Sequence, residues 1–347
     1  MKILVLNSGS SSIKYKLFSK DLLEELYCGI KEEVVCHTEA LDKILNQLIQ
    51  DKIIKDFSDI CVVGHRVVHG GVFFDKPIII DDNICKKIDE LSILAPLHNP
   101  SNLAGIEAIK KLSTTTKQVA VFDTAFHQTI PNFASIYPLP YEYYEKYNIK
   151  KYGFHGTSHQ YVAKKASEIL DKKLENTNLI TLHLGNGASI CAIKDGISID
   201  TSMGFTPLEG LMMGTRCGDI DSSLVVYLQD KLKLSTNEIN KILNKQSGFK
   251  GICGNSDLRE VIKLSQDGDK KATLAIEMFV YRIKKYIGSY LMILEDVDAI
   301  IFTGGIGENS KLIRDMIISS TDKFNIKSLV IPTNEELAIA QFSKELL

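Results

Sequence analysis

The sequence predicts an α/β protein with an internally duplicated domain. Three observations lead there: short Ile- and Val-rich runs recur along the chain, longer helix-periodic stretches lie between them, and one strand-turn-strand pattern occurs twice. The short runs at 3–6, 60–63, 78–80, 119–122, 179–184 and 299–302 carry the β-branched side chains that suit a pleated, half-buried surface. The intervening patterns at 40–54, 100–111, 158–170, 237–243 and 273–294 repeat apolar residues at the spacing of one helix face. The duplicated pattern is ILVLNSGSSSIKYKLF at 3–18 and LITLHLGNGASICAIKDG at 179–196, each a strand, a Gly/Ser/Asn turn and a second strand. With 347 residues, 44% of them hydrophobic, two cores are the natural organisation, with a binding cleft between the domains. Pro131, Pro138, Pro140 and the tyrosines around them interrupt both periodicities, so a domain boundary is expected within 131–152.

Charge narrows the function classes. A formal net charge of −2, from 41 basic and 43 acidic residues mixed along the chain, offers no field for nucleic acid or an anionic membrane, so any anion must be bound by local groups. The N-terminal apolar run is too short for a secretory leader, and the stretch at 272–294 is broken by Glu277, Arg282, Lys284 and Lys285, as in an amphipathic helix. Seven scattered cysteines without Cys-x-x-Cys spacing read as free thiols in a reducing cytoplasm.

Three glycine-rich turns follow strand-like runs: 7–12 (NSGSSS), 185–189 (GNGAS) and 304–309 (GGIGEN). Each exposes backbone N–H groups that can approach phosphate oxygens, although a single such turn is equally a plain β-turn. Three together favour a two-sided nucleotide clamp. None carries the P-loop or dinucleotide fingerprint. Lys14, just beyond the first turn, is either a phosphate ligand or an exposed strand lysine. Arg66 in GHRVVHGG and Arg216 in MGTRCG are flanked by small residues and suit a carboxylate or phosphate, or else a structural ion pair. The pairs His65/His69 and His155/His159 have i,i+4 spacing but lack the glutamate of a zinc-protease helix and abut glycine, which argues against zinc. Asp123, at a strand end, serves a metal, a substrate or a turn, and Glu335 either caps the last helix or ligates Mg²⁺.

Taken together and in order, NSGSSSIK at 7–14, HRVVHGG at 65–71, APLHNP at 95–100, VFDTAFH at 121–127, YGFHGTSH at 152–159, HLGNG at 183–187, TPLEGLMMGTRCG at 206–218, FTGGIGEN at 302–309 and TNEEL at 333–337 closely resemble the acetate kinase family. The resemblance implies two duplicated RNase H-like domains of the actin-like ATPase kind around a nucleotide cleft, divided as 1–127 plus 337–347 and 128–336. It further implies a homodimer that uses ATP/ADP, acetate or acetyl phosphate, and Mg²⁺, with Mn²⁺ as an alternative ion. Carried over by motif, Asn7 and Glu335 hold the metal. Lys14, His183, Leu184, Gly185, Asn186 and Gly187 bind ATP phosphates, while Asp257, Leu258, Arg259 and Gly305, Ile306, Gly307, Glu308, Asn309 hold the adenosine end. Arg66 binds the substrate carboxylate, His155 and Arg216 stabilise the transition state, and Val68, Leu97, Phe154 and Pro207 surround the methyl group. Asp123 carries a proton role in the family. Acetate is already ionised at neutral pH and needs no base, so orienting Arg66 or a metal-bound water is the physically preferred role. The chain is shorter than the roughly 400 residues usual in the family, which suggests deletions before Arg66 and between Arg216 and Glu335. A kinase for propionate or a wider range of short-chain acids is the nearest alternative, because one methylene in an apolar pocket discriminates by only about 1–3 kcal/mol. A nucleotide-switched binding protein of Hsp70-like fold is the alternative from another class.

Overall fold

The computed structural model describes every residue except 22, 320, 322 and 323. Contacts divide the chain into two compact units, the first comprising Met1–Gln128, Gly156–Tyr161 and Asn334–Leu347, the second Thr129–His155 and Val162–Thr333. Each is built on one mixed sheet. In the first unit the strands are β1 (Lys2–Ser8), β2 (Ser12–Ser19), β3 (Glu25–Glu32), β4 (Ile60–Val67), β5 (Ile78–Ile79) and β6 (Lys117–Phe122), in the order β3-β2-β1-β4-β6-β5. The second has β7 (Leu179–Leu184), β8 (Ala188–Lys194), β9 (Ile197–Thr201), β10 (Ala299–Thr303) and β11 (Lys327–Val330), in the order β11-β10-β7-β8-β9.

The two orders are the same topology used twice. An antiparallel meander (β1-β2-β3 or β7-β8-β9) is extended on the side of its first strand by two parallel strands, β4 and β6 or β10 and β11. The sequence repeat at 3–18 and 179–196 is therefore the first hairpin of each meander, and the architecture is the duplicated RNase H-like one that the resemblance implied.

Alternation along β1 explains how the first sheet is buried on both faces. Ile3 and Val5 point to one side and Leu4 and Leu6 to the other. The first pair packs with Phe18, Val62 and Ile339 of the helix Glu335–Glu345. The second meets Leu41, Ile44 and Ile109 of the helices His37–Gln50 and Asn99–Leu112. Each such side chain contributes about 1.5–3 kcal/mol on burial. Gly64 in β4 is required by the first of these contacts, because a Cβ there would lie 2.5 Å from Ser343 Oγ and 2.6 Å from Ile339 Cγ2. In the second unit the helix Lys270–Leu294 buries Ile276, Phe279, Val280, Ile283, Ile287 and Tyr290 and packs against β8.

Element boundaries differ from the expected ones for local reasons. The pattern at 40–54 forms a helix over His37–Gln50, ended where Lys52 takes a left-handed φ of 58°. The helix Ser222–Leu232, unforeseen, buries none of its residues, so its apolar run LVVYL carries no one-sided period to detect. Among the described residues no helix is long and apolar enough to cross a membrane.

Candidate active site

In the second unit, the turn joining β7 to β8 is closed by Gly185 N–H donating to the Gly187 carbonyl at 3.0 Å. His183 lies opposite Ser189 across this hairpin, and Ser189 Oγ hydrogen-bonds His155 Nδ1 at 2.9 Å. The His155 ring stacks on His183 with centroids 4.2 Å apart. His155 is held in the left-handed region, φ 58°, immediately before the helix Gly156–Ile169, a conformation costly for a non-glycine residue and typical of functional positions. Arg216 reaches the same place, since a Cβ built on Gly187 would be 3.4 Å from its Nη2 and 3.7 Å from His155 Cε1.

The loop bearing Arg216 is braced on several sides. Gly214 N–H donates to the Asn186 carbonyl at 3.1 Å, and Met213 N–H to the Arg216 carbonyl at 3.1 Å. At its base the Asp219 carboxylate accepts from Gly210 N–H and from Tyr286 Oη, both at 2.7 Å. The guanidinium donates from Nη1 to the Pro207 carbonyl at 2.7 Å, yet among the described residues no carboxylate lies within ion-pair distance. Burial, with no neighbouring carboxylate to oppose it, holds its pKa below the usual arginine range. The guanidinium is thus half-buried, held by its loop, and uncompensated by a carboxylate among the described residues.

Beside this arrangement a cavity of about 740 Å³ collects three stretches of sequence: Gly185 and Asn186; Asp257, Leu258 and Arg259; and Gly305, Ile306 and Asn309. Asp257 caps the helix Leu258–Gln266 and takes a fork from Arg259, Nε to Oδ1 at 3.0 Å and Nη2 to Oδ2 at 2.6 Å, which lowers its pKa to about 2. Ser256, Ile262 and Ser310 also line the cavity and were not anticipated. Their only signal was adjacency, Ile262 lying one helical turn beyond Leu258 and the two serines flanking the motifs. Gly307 and Glu308 are absent from the lining, and Leu184 is fully buried, with only its backbone near Gly304.

The first unit gathers a different set. Arg66 forks onto Asp123, with Nε 3.1 and 3.0 Å from the two carboxylate oxygens and Nη2 2.5 Å from Oδ2, and its Nε is 3.6 Å from Glu335 Oε2. Burial alone would lower the Arg66 pKa, but Asp123 and Glu335 raise it above the ordinary value. Burial, reinforced by Asp123 and Glu336 and opposed by Arg66 and Lys14, pushes the Glu335 carboxyl well above the usual carboxylate range. Asn7 pairs with Lys14 across β1 and β2, beside this cluster. Asn102 fixes the neighbouring loops, donating to the Ser8 carbonyl at 2.8 Å and accepting from Val68 N–H at 3.1 Å. Of the four apolar candidates, Val68 is buried and Leu97 is 67% exposed in this unit, while Phe154 is buried and Pro207 half-buried in the other.

Residues 28–328 match the acetokinase family. The chain belongs to the acetokinase family. An acetate kinase of Sulfurovum sp. (strain NBC37-1) is 49% identical over 386 aligned residues, covering 98% of each chain. That span exceeds the 347 residues present here, as expected if surface segments are shortened. The crystal structure of Porphyromonas gingivalis acetate kinase superposes with a TM-score of 0.95 at 40% identity, covering 99% of each chain. A propionate kinase from Francisella tularensis gives 0.95 at 42% identity, covering 100% of both. Likeness of fold alone extends to a ROK hexokinase from Thermus thermophilus, at 11% identity and a TM-score of 0.50.

For this acetokinase chain the donor set of the first unit fits a hard divalent cation. Glu335 and Asn7 offer oxygen ligands, and a half-buried carboxyl whose pKa is raised first by burial and then by Asp123 and Glu336 is a place where added positive charge is favourable. Among the described residues no cluster of three or more His, Cys, Asp or Glu forms a ligand cage of its own.

Proposed function

We propose that the protein catalyses reversible, in-line transfer of the γ-phosphoryl group of ATP to acetate. A carboxylate oxygen of acetate bonds to the γ-phosphorus, the bond to the β,γ-bridging oxygen breaks, and acetyl phosphate and ADP result. The observation that carries this reading is Arg216, half-buried beside His155 and the Gly185–Gly187 turn with no carboxylate partner among the described residues. The transition state spreads charge over three equatorial oxygens, so fixed cationic and N–H donors stabilise it without proton transfer. His155 and Arg216 take that role. The cavity lined by Asp257–Arg259 and Gly305 accepts the adenosine end. Arg66, oriented by Asp123, presents its remaining guanidinium nitrogen to the acceptor carboxylate. Glu335 and Asn7 hold Mg²⁺, which supplies charge neutralisation to the phosphates.

The propionate kinase of similar fold and identity supports a second reading, in which the acceptor is propionate. A coupled assay of ADP formation with ATP and Mg²⁺, comparing acetate, propionate and butyrate against a no-acid blank, decides between them. Acetate is expected to have the highest kcat/KM. ADP release that ignores the acid would refute the carboxyl-acceptor reading.

A homodimer is part of the same proposal, supported by the helix Ser222–Leu232, which exposes Leu224, Val226, Tyr227 and Leu232. Light scattering should return twice the 38.7 kDa chain mass, and Val226→Glu should return the single mass. Cytoplasmic residence is the matching expectation for a chain with seven free cysteines.

A further inference from the structure

We propose that Glu308 is a positioning residue that ties the nucleotide loop to the segment leading into Glu335, and that it touches no ligand itself. The inference rests on the phosphotransfer reading for what those two segments carry. In the run Gly304-Gly305-Ile306-Gly307-Glu308-Asn309 the glutamate is the charged member and the obvious candidate for a ligand contact. Its carboxylate turns back into the fold instead. One oxygen, Oε1, accepts from Gly304 N–H at 2.9 Å, from Thr303 Oγ1 at 3.3 Å and from Thr333 N–H at 3.1 Å.

These three donors come from both segments. Thr303 ends β10 and Gly304 begins the short helix Gly304–Asn309, whereas Thr333 stands two residues before Glu335. The turn at Gly304 is tight, with φ 77° and a Leu184 carbonyl oxygen 2.8 Å from where a Cβ would be. Arg314 holds the other end of the short helix, donating from Nη1 to the Gly307 carbonyl at 2.8 Å and to the Glu308 carbonyl at 2.7 Å. Gly305 and Ile306 lie between the two clamps and Asn309 just beyond the second, and all three line the cavity. Next along the chain, Asn334 Oδ1 accepts from Leu337 N–H at 3.0 Å and caps the helix Glu335–Glu345. Thr333 is thus the residue directly before the cap of the helix that carries Glu335. One carboxyl oxygen that accepts from all three donors joins segments 25 residues apart.

The test separates an acceptor role from a charge role. Glu308→Gln keeps an oxygen acceptor and loses the charge, and Glu308→Ala loses both. E308A is expected to weaken ATP binding, measured by isothermal titration, by about ten- to hundredfold and to lower kcat at saturating ATP by about tenfold or more. E308Q should remain within about threefold of wild type in both, since the acceptor geometry survives. Hydrogen exchange read by mass spectrometry should quicken at Gly304 and at Thr333 in E308A and stay at the wild-type rate in E308Q. Two results overturn the proposal: E308Q as impaired as E308A, which means the charge meets a ligand or metal directly, or E308A with unchanged kcat and unchanged exchange at Thr333. Should E308A fail to fold, Glu308→Asp, one methylene shorter, is expected to quicken exchange at the same two amides, and unchanged exchange there overturns the proposal equally. Wild-type protein that binds no ATP would refute the phosphotransfer reading, and the exchange comparison of E308A with E308Q would still decide the clamp.

Discussion

Arg66 and Arg216 are both half-buried, yet their electrostatic circumstances are opposite. Arg66 is forked onto Asp123 and has Glu335 at 3.6 Å, so it sits among more negative charge than it neutralises. Arg216 leans on a backbone carbonyl and, among the described residues, has no carboxylate within ion-pair distance. The first is an arginine already satisfied and locked in direction. The second is kept in reserve for a charge that arrives with the ligand. A rigid, paired cation orients one reactant, and a rigid, unpaired one favours the species in which negative charge spreads furthest.

Removing the reserve should have the largest effect. Arg216→Ala is expected to lower kcat by about 10³–10⁵-fold with the fold intact by circular dichroism. Turnover within tenfold of wild type would mean that the unpaired arginine is not the group that meets the transferring phosphoryl.

Loosening the paired arginine should cost less. Asp123→Asn removes the charge that orients Arg66 and should reduce kcat/KM for the acid by about 10- to 100-fold, the range for one charge-assisted bond. Asp123 as a proton carrier predicts something else, a limb of the pH–rate profile that disappears in the variant.

The segment that carries Arg66 also holds two histidines that burial keeps neutral. His65 is fully buried and donates from Nε2 to Gln118 Oε1 at 2.8 Å, and burial lowers its pKa, like that of His69, to about 4. Between pH 6.5 and 4 the unfolded chain binds protons that the folded chain refuses, so stability is full above 6.5 and falls as pH drops through that window. The loss should approach about 3 kcal/mol per histidine by pH 4, read from urea midpoints across the series. His65→Gln should flatten part of the slope.

The smallest effect is expected at Gly64. Alanine there forces the helix Glu335–Glu345 away from β4, and should destabilise by about 1–3 kcal/mol. If the comparison is right, G64A also harms the acceptor side, raising KM for the acid while leaving nucleotide affinity unchanged.

Much of this was legible in the residues. Strands such as β7 and β10 fell where Ile and Val cluster, because burial on both faces selects those side chains. Arg66, Asp123, Arg216 and the glycine turns stood out because small neighbours around a charge have few structural uses. Leu97 was expected around a methyl group and is exposed, since a motif carries identity but not the direction of a side chain. Glu308 was read as a ligand contact for the same reason. Its partner Thr333 is 25 residues away, a distance at which sequence spacing says nothing about hydrogen bonding. The helix Ser222–Leu232 was invisible because periodicity reports burial within one chain, and this helix has none.

The helix Glu335–Glu345 completes the first sheet although the whole second unit precedes it in the chain. During synthesis, Ile3, Val5, Phe18 and Val62 therefore wait uncovered while about 270 residues or more are added, roughly 14–55 s at ordinary ribosomal speed. A product that stops early has neither Glu335 nor the lid of its oldest sheet. Incomplete chains are thus inactive and adhesive at once, the combination that quality-control proteases and chaperones recognise, so the order of the sequence inspects its own completion.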